Sequence, residues 1–201
     1  MRRIGRISED EMVAVFLRGE FDSPRFGTEL ARVLRQAELD PAIITSPDLA
    51  DDGANSRRRR LLGQVRGFEE DRSLFRKFPP DVRWERAMVT ATELKRVRYV
   101  SYDFWVELSG GSRMPADAAR RIEQGVETFR QSNDSFWSAA NALRAGVSFP
   151  EMILVTHDGE TLVVVEGHVR LTAFMLAPHL IPTELEVVLG RSAKMTGWPL
   201  Y

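Results

Sequence analysis

Val163-Val164-Val165-Glu166-Gly167-His168-Val169-Arg170-Leu171-Thr172-Ala173-Phe174 decides how this chain of 201 residues is read. An apolar run of strand character stops at an acidic-glycine corner, and a helical pattern then begins with His168 and Arg170 two residues apart. Glycine permits a sharp turn and a close approach of backbone to a ligand, while the free N–H groups and positive dipole end of the following helix favour anions. The layout is that of an anion site, with His168 and Arg170 on the first helical turn. Strand, glycine, helix is a common succession, so the neighbouring elements decide its weight.

Upstream, Phe149-Pro150-Glu151-Met152-Ile153-Leu154-Val155 predicts a strand entered through a proline, and Thr156-His157-Asp158-Gly159-Glu160 contains the Asp-Gly pair of tight hairpins. A helix over about 133–145 precedes it, with Phe136, Trp137, Ala140 and Leu143 as its core stripe and Gly146 as its stop. Downstream, Pro178 ends the helix of the corner. Ile181-Pro182 then leads into Leu185, Val187 and Leu189 alternating with Glu184, Glu186 and Val188, the pattern of a half-buried closing strand.

In this order the chain resembles the ParB/sulfiredoxin superfamily over roughly residues 130–190. The matching pieces are Ala140-Asn141-Ala142-Leu143-Arg144-Ala145-Gly146, Pro150 to Val155, Glu166 to Phe174, and Ile181-Pro182 to Leu189. Gly167-His168-Val169-Arg170 stands where sulfiredoxins carry Gly-Cys-His-Arg and ParB proteins carry Gly-Glu-Arg-Arg. The resemblance implies an α/β (α+β) fold, a small mixed sheet with flanking helices, to which an N-terminal helical annex is added. It also implies that Gly167, His168, Arg170 and Thr172 hold the phosphates of ATP or another nucleoside triphosphate carried with Mg²⁺. An arginine before the 133–145 helix faces the nucleotide in the superfamily, and Arg130 stands nearest. A related branch of small-molecule serine kinases points to phosphoryl transfer to a small hydroxyl compound. The departures exclude other activities. The chain has no cysteine, so sulfiredoxin thiol chemistry cannot operate, and His168 occupies the nucleophile's slot. His168 and Val169 replace the acidic residue and first arginine of ParB, so CTP hydrolysis does not carry over. With only a short tail after Leu189, the DNA reader and dimerisation domain of a partitioning protein are not expected.

The chemistry of each side chain leaves alternatives. Arg170 offers a planar fork that matches phosphate. Glu166 and His168 are the catalytic candidates: Glu166 as a general base or as a carboxylate for nucleotide-borne Mg²⁺, His168 as a donor to phosphate. Against these stand a turn glutamate paired with Arg170 and an ordinary helix-start histidine. Ser109-Gly110-Gly111-Ser112-Arg113 makes a second candidate phosphate loop, with Ser109, Ser112 and Arg113 as donors, or an ordinary turn. The three histidines include no pair at the i, i+4 spacing of a helical zinc site, so a metal held by protein alone is not expected.

Length and a hydrophobic content of 43% allow a substantial core. The first residues are basic without an apolar stretch, and no run approaches the ~20 apolar residues of a membrane span, so a cytoplasmic protein with no membrane partner is expected. Charge is distributed unevenly: residues 8–55 carry 4 basic and 11 acidic side chains, residues 56–100 carry 13 and 6. Either the two segments neutralise each other, or the basic one faces a polyanion.

Ser8-x-x-Glu11 predicts a capped first helix ending near Gly19, and Phe26, Leu30, Val33 and Leu34 a second, stopped by Asp40-Pro41. Residues 46–56 read as a polar linker. A third helix opens on Arg57, Arg58, Arg59 and Arg60 and carries Leu61, Val65, Phe68 and Phe75 on one stripe. Four adjacent arginines cover every side of a helix, so at least one must face protein or ligand. The run supports the alternative reading, a non-catalytic nucleotide-responsive or nucleic-acid-binding module. Trp84 to Thr90 and Val97 to Val100 predict strands around a helical turn at Thr92-Glu93-Leu94. Pro115 opens a helix with Ala118, Ala119, Ile122, Val126 and Phe129 on its buried face. The expected division is a helical region 1–50, a basic helical segment 51–80 and a core domain 81–201.

Overall fold

Arg2–Arg6 (β1), Arg83–Thr90 (β2), Arg98–Tyr99 (β3), Met152–Thr156 (β4), Val163–Glu166 (β5) and Glu184–Arg191 (β6) form one sheet in the computed structural model, which describes residues 1–23 and 25–201. The strand order is β1-β2-β6-β4-β5-β3. Among the described residues nine helices flank it: Glu9–Phe21 (α1), Gly27–Gln36 (α2), Ala42–Thr45 (α3), Asp52–Arg66 (α4), Ala91–Leu94 (α5), Asp103–Leu108 (α6), Pro115–Glu123 (α7), Asp134–Arg144 (α8) and His168–Leu176 (α9). The protein is therefore of the mixed α/β class. None of these helices is long and apolar enough to cross a membrane.

The pairing is mixed because its connections differ in length. β4 and β5 join through the Asp158–Gly159 loop and run antiparallel, whereas β5 reaches β6 through α9, which places β6 parallel to β4. β6 is thus no closing strand: it lies between β4 and antiparallel β2. That insertion corrects the half-buried expectation, since Val187, Val188 and Leu189 are all buried, on both faces. β4, buried at every position, is the other centre of the sheet. β1 carries no run of apolar side chains to announce a strand. It is an edge strand whose Arg2, Arg3 and Arg6 stay at the surface, where charge guards against pairing with another chain.

Other expectations shift for local reasons. Residues 52–56 of the expected linker are helical, because the Asp51 carboxylate accepts from Ala54 N at 2.9 Å and starts α4. The same helix stops at Arg66, where Gly67 takes φ 84°, so Phe68 and Phe75 reach the core from the turns beyond it. Phe129 is 61% exposed rather than buried, since α7 ends at Glu123. Ser8 caps α1, but Glu11 turns away from the cap and pairs with Arg86. Arg59–Asp10, Arg66–Glu20 and Arg86–Glu11 join the acidic and basic segments, which do neutralise one another in part. One connected apolar core runs from Met12 through Leu62 to Trp198, across all three expected regions.

Candidate functional site

The β5–α9 corner is built around a glycine whose backbone conformation strains any residue with a side chain. Gly167 has φ 102°, and a Cβ there would stand 2.6 Å from Cγ of Met152 on β4. The chain turns from strand to helix over the Met152 side chain, and His168, Val169 and Arg170 form the first turn of α9.

Glu166 and Arg170 meet as a buried ion pair four residues apart, with side chains 8% and 12% exposed. The other terminal nitrogen of Arg170 donates to Pro150 O at 2.8 Å and Glu151 O at 2.9 Å, the backbone entering β4. One guanidinium therefore ties the end of β5 to the start of β4. A second pair from the N-terminal region lies over the first. Arg66 of α4 stands 3.5 Å from Glu20 of α1, with its guanidinium 4.1 Å from the Phe26 ring centroid. Gly19 touches Glu166 and Arg170 directly. Burial pushes the Glu20 carboxyl up to about 7 against the pull of Arg66, and burial likewise raises Glu166 against Arg170 and Arg66.

His168 borders this quartet. Its ring is half-buried and stacks on Trp105 at 4.7 Å and on Tyr99 at 6.0 Å between centroids. Nε2 is shut off from solvent and has no hydrogen-bond partner. Burial, then the charges of Arg66, Arg170 and Arg25, hold the imidazole well below its usual value, so it is neutral at pH 7. Tyr99 and Thr172 share a 2.6 Å hydrogen bond beneath the ring, and Thr172 donates to His168 O at 2.7 Å.

Glu166, Gly167, His168 and Arg170 thus converge, but two expected roles need correction. Thr172 is fully buried and spent on Tyr99 and its own helix, so it faces no ligand. Glu166, enclosed and paired with Arg170, does not fit a Mg²⁺ ligand as it stands, and among the described residues no group of three or more His, Asp or Glu side chains could hold a metal ion. Ser112 and Arg113 belong to another place. Ser112 bonds within its own turn, and Arg113 binds Tyr99 O, Leu200 O and Tyr201 O, which makes it a fastener of the C-terminal segment. Arg130 is exposed on the turn before α8.

The arginine run divides by helical geometry. Arg58 is 1% exposed and donates to Ile43 O, Asp48 O and Asn55 Oδ1, Arg59 grips Asp10 through two nitrogens, and Arg57 and Arg60 face solvent. Glu20 and Arg66 escaped the sequence reading, although a signal exists. Glu20 falls three and four residues after Leu17 and Phe16, on the buried stripe of α1, where a carboxylate demands a partner. A groove of about 310 Å³ between Phe149, Phe174 and Leu185 does not include His168 in its lining. Comparisons with protein-family models, curated proteins and solved structures find no match to this chain.

Proposed function

We propose that the β5–α9 corner binds the phosphates of a nucleoside triphosphate, whose terminal phosphoryl group passes to a small hydroxyl compound. The observation that carries this reading is the orphaned Nε2 of His168, on the first turn of a nine-residue helix and in the field of Arg25, Arg66 and Arg170. A buried polar atom without a partner costs about 1–3 kcal/mol, and the free N–H groups of a helix start attract the same anion that would satisfy it. A neutral imidazole protonated on Nε2 donates one hydrogen bond to a phosphate oxygen once the side chains that close it off from solvent part to admit the anion. The bound anion in turn raises the imidazole pKa, so binding takes up protons.

Arg170 connects binding with chemistry. Phosphate oxygens compete with Glu166 for its fork. A Glu166 released in this way accepts the proton of the substrate hydroxyl as that oxygen attacks the terminal phosphorus and the nucleoside diphosphate leaves.

Calorimetric titration with ATP, CTP and inorganic tripolyphosphate tests the binding half. His168→Phe keeps the stack on Trp105 and removes the nitrogen, so affinity is expected to fall about tenfold, the loss of one hydrogen bond. Absence of binding by the wild-type protein at millimolar ligand overturns the reading. If binding holds but no compound in a panel of small alcohols, amino alcohols and hydroxy acids stimulates nucleotide consumption, phosphoryl transfer is removed and binding stands.

A further inference from the structure

Phe129 is 61% exposed, the one aromatic among the large apolar side chains left in solvent in the described residues, where Ile4, Leu49 and Val147 are aliphatic. A tight turn holds it there. Phe129 and Arg130 occupy the two central positions of a turn closed by Gln131 N donating to Thr128 O at 3.0 Å, with φ 52° and 57°. Mirror-image turns of this kind favour Asn-Gly, and a bulky side chain at positive φ is strained. The turn is also anchored: Thr128 is buried, and Asn133 Nδ2 donates to Val126 O at 2.9 Å. Phe129 is not among the buried core residues, and its ring meets only the half-buried Phe104 among the described aromatic side chains. Strain kept at an anchored, exposed position points to a contact made outside the fold.

A line of aromatic rings joins this tip to the corner. Phe104 stands 6.5 Å from Phe129, Trp105 stands 5.0 Å from Phe104, and His168 lies 4.7 Å from Trp105. Resting on the phosphate reading above, we infer that Phe129 and Phe104 form the stacking platform for the base of the bound nucleotide, with Arg130 beside the base. The ligand is then a nucleotide with its phosphates at His168 and its planar base on Phe129, and the strained turn sets the distance between the two contacts. Every base has a π-face, so the platform supplies affinity without selecting one base.

The test compares ATP and CTP with inorganic tripolyphosphate, which has the charge and lacks the base. Phe129→Ala and Phe129→Leu are expected to weaken both nucleotides at least about tenfold, Phe129→Trp to keep wild-type affinity, and tripolyphosphate to bind all four proteins alike. If Phe129→Ala binds nucleotide as the wild type does while tripolyphosphate still binds, the platform is overturned and the corner stands. If nucleotide and tripolyphosphate weaken equally, the turn supports the corner and does not stack a base, which also overturns it. If the wild type binds neither, both readings fall.

Discussion

Gly19 of α1 lies against the carboxylate of Glu166, so close that a methyl group at position 19 would collide with Oε1 and stand 2.9 Å from Nη2 of Arg170. In an exposed helix interior, replacing glycine by alanine stabilises by roughly 1 kcal/mol through propensity. Here the sterics win, because Glu166 is locked by Arg170 and cannot move aside. Gly19→Ala is expected to destabilise by about 2 kcal/mol, as overpacking does. Urea unfolding measures it, and an unchanged or raised midpoint would mean that the quartet yields freely.

The Glu20 carboxyl gives folding a pH dependence whose sign follows from its raised pKa. Its folded value of about 7 exceeds the ordinary 4.5, so the protonated form is favoured by folding. That contribution is complete below pH 4.5 and is lost as pH rises to 7. Glu20→Gln mimics the protonated acid. The stability of this variant minus that of the wild type should grow from near zero at pH 4.5 to on the order of 3 kcal/mol above pH 7. His168 acts in the opposite sense, stabilising above its usual 6.5 and losing that effect toward acid, but it cancels in the difference. A difference independent of pH would show that Glu20 ionises normally.

The corner was legible in the sequence and its cover was not. β5, Gly167 and α9 are consecutive, so the change of hydrophobic period and the glycine announce them locally. Gly19, Glu20 and Arg66 arrive from helices 100 or more residues distant in sequence from Glu166, and local spacing carries no record of such a meeting. The alternatives of Glu166 as base or as partner of Arg170 were both readable, and only the fold shows the pair made. β6 misled for the same reason: Glu184 and Glu186 at its start give an alternating pattern, while its burial is decided by a position between β2 and β4 that no single strand encodes.

Arg170 is structural whatever else it does. Arg170→Ala would leave Glu166 buried without a partner and free two carbonyls at the entry to β4, so a loss of about 3–5 kcal/mol is expected. Arg170→Lys keeps the charge without the fork and should fall between the two. Glu166→Gln should cost less than Arg170→Ala, since the amide keeps the shape of the side chain and an oxygen that still accepts from Arg170. Thermal unfolding of the three variants orders them, and nucleotide titrations are meaningful only for those that remain folded.

Arg58 and its neighbours should separate cleanly. Arg58→Ala removes a buried guanidinium from Ile43 O, Asp48 O and Asn55, and a loss of about 3 kcal/mol is expected, whereas Arg57→Ala and Arg60→Ala should lie within ~0.5 kcal/mol of wild type. A quadruple alanine variant would confuse unfolding with lost charge. Salt-dependent binding to oligonucleotides is therefore to be measured on Arg57→Ala/Arg60→Ala; steep salt dependence abolished by that pair would establish a polyanion face on α4.

Phe129 permits a second prediction in which the variant is the more stable protein. Its side chain is mostly in solvent, so little packing is lost on removal, and glycine relieves the penalty at φ 52°. Against this, glycine enlarges the conformational freedom of the unfolded chain, by about 0.5–1 kcal/mol in ordinary backbone. The left-handed strain of a bulky side chain, roughly 1–2 kcal/mol, is the larger of the two. Phe129→Gly should thus be slightly more stable than the wild type, by about 0.5–1 kcal/mol, and Phe129→Asn similarly, since asparagine tolerates this region and adds less freedom. Urea midpoints for the two variants measure the balance. A loss of more than 1 kcal/mol in both would show that Phe129 contributes to folding through Phe104, and its exposure would then mark a satellite of the core.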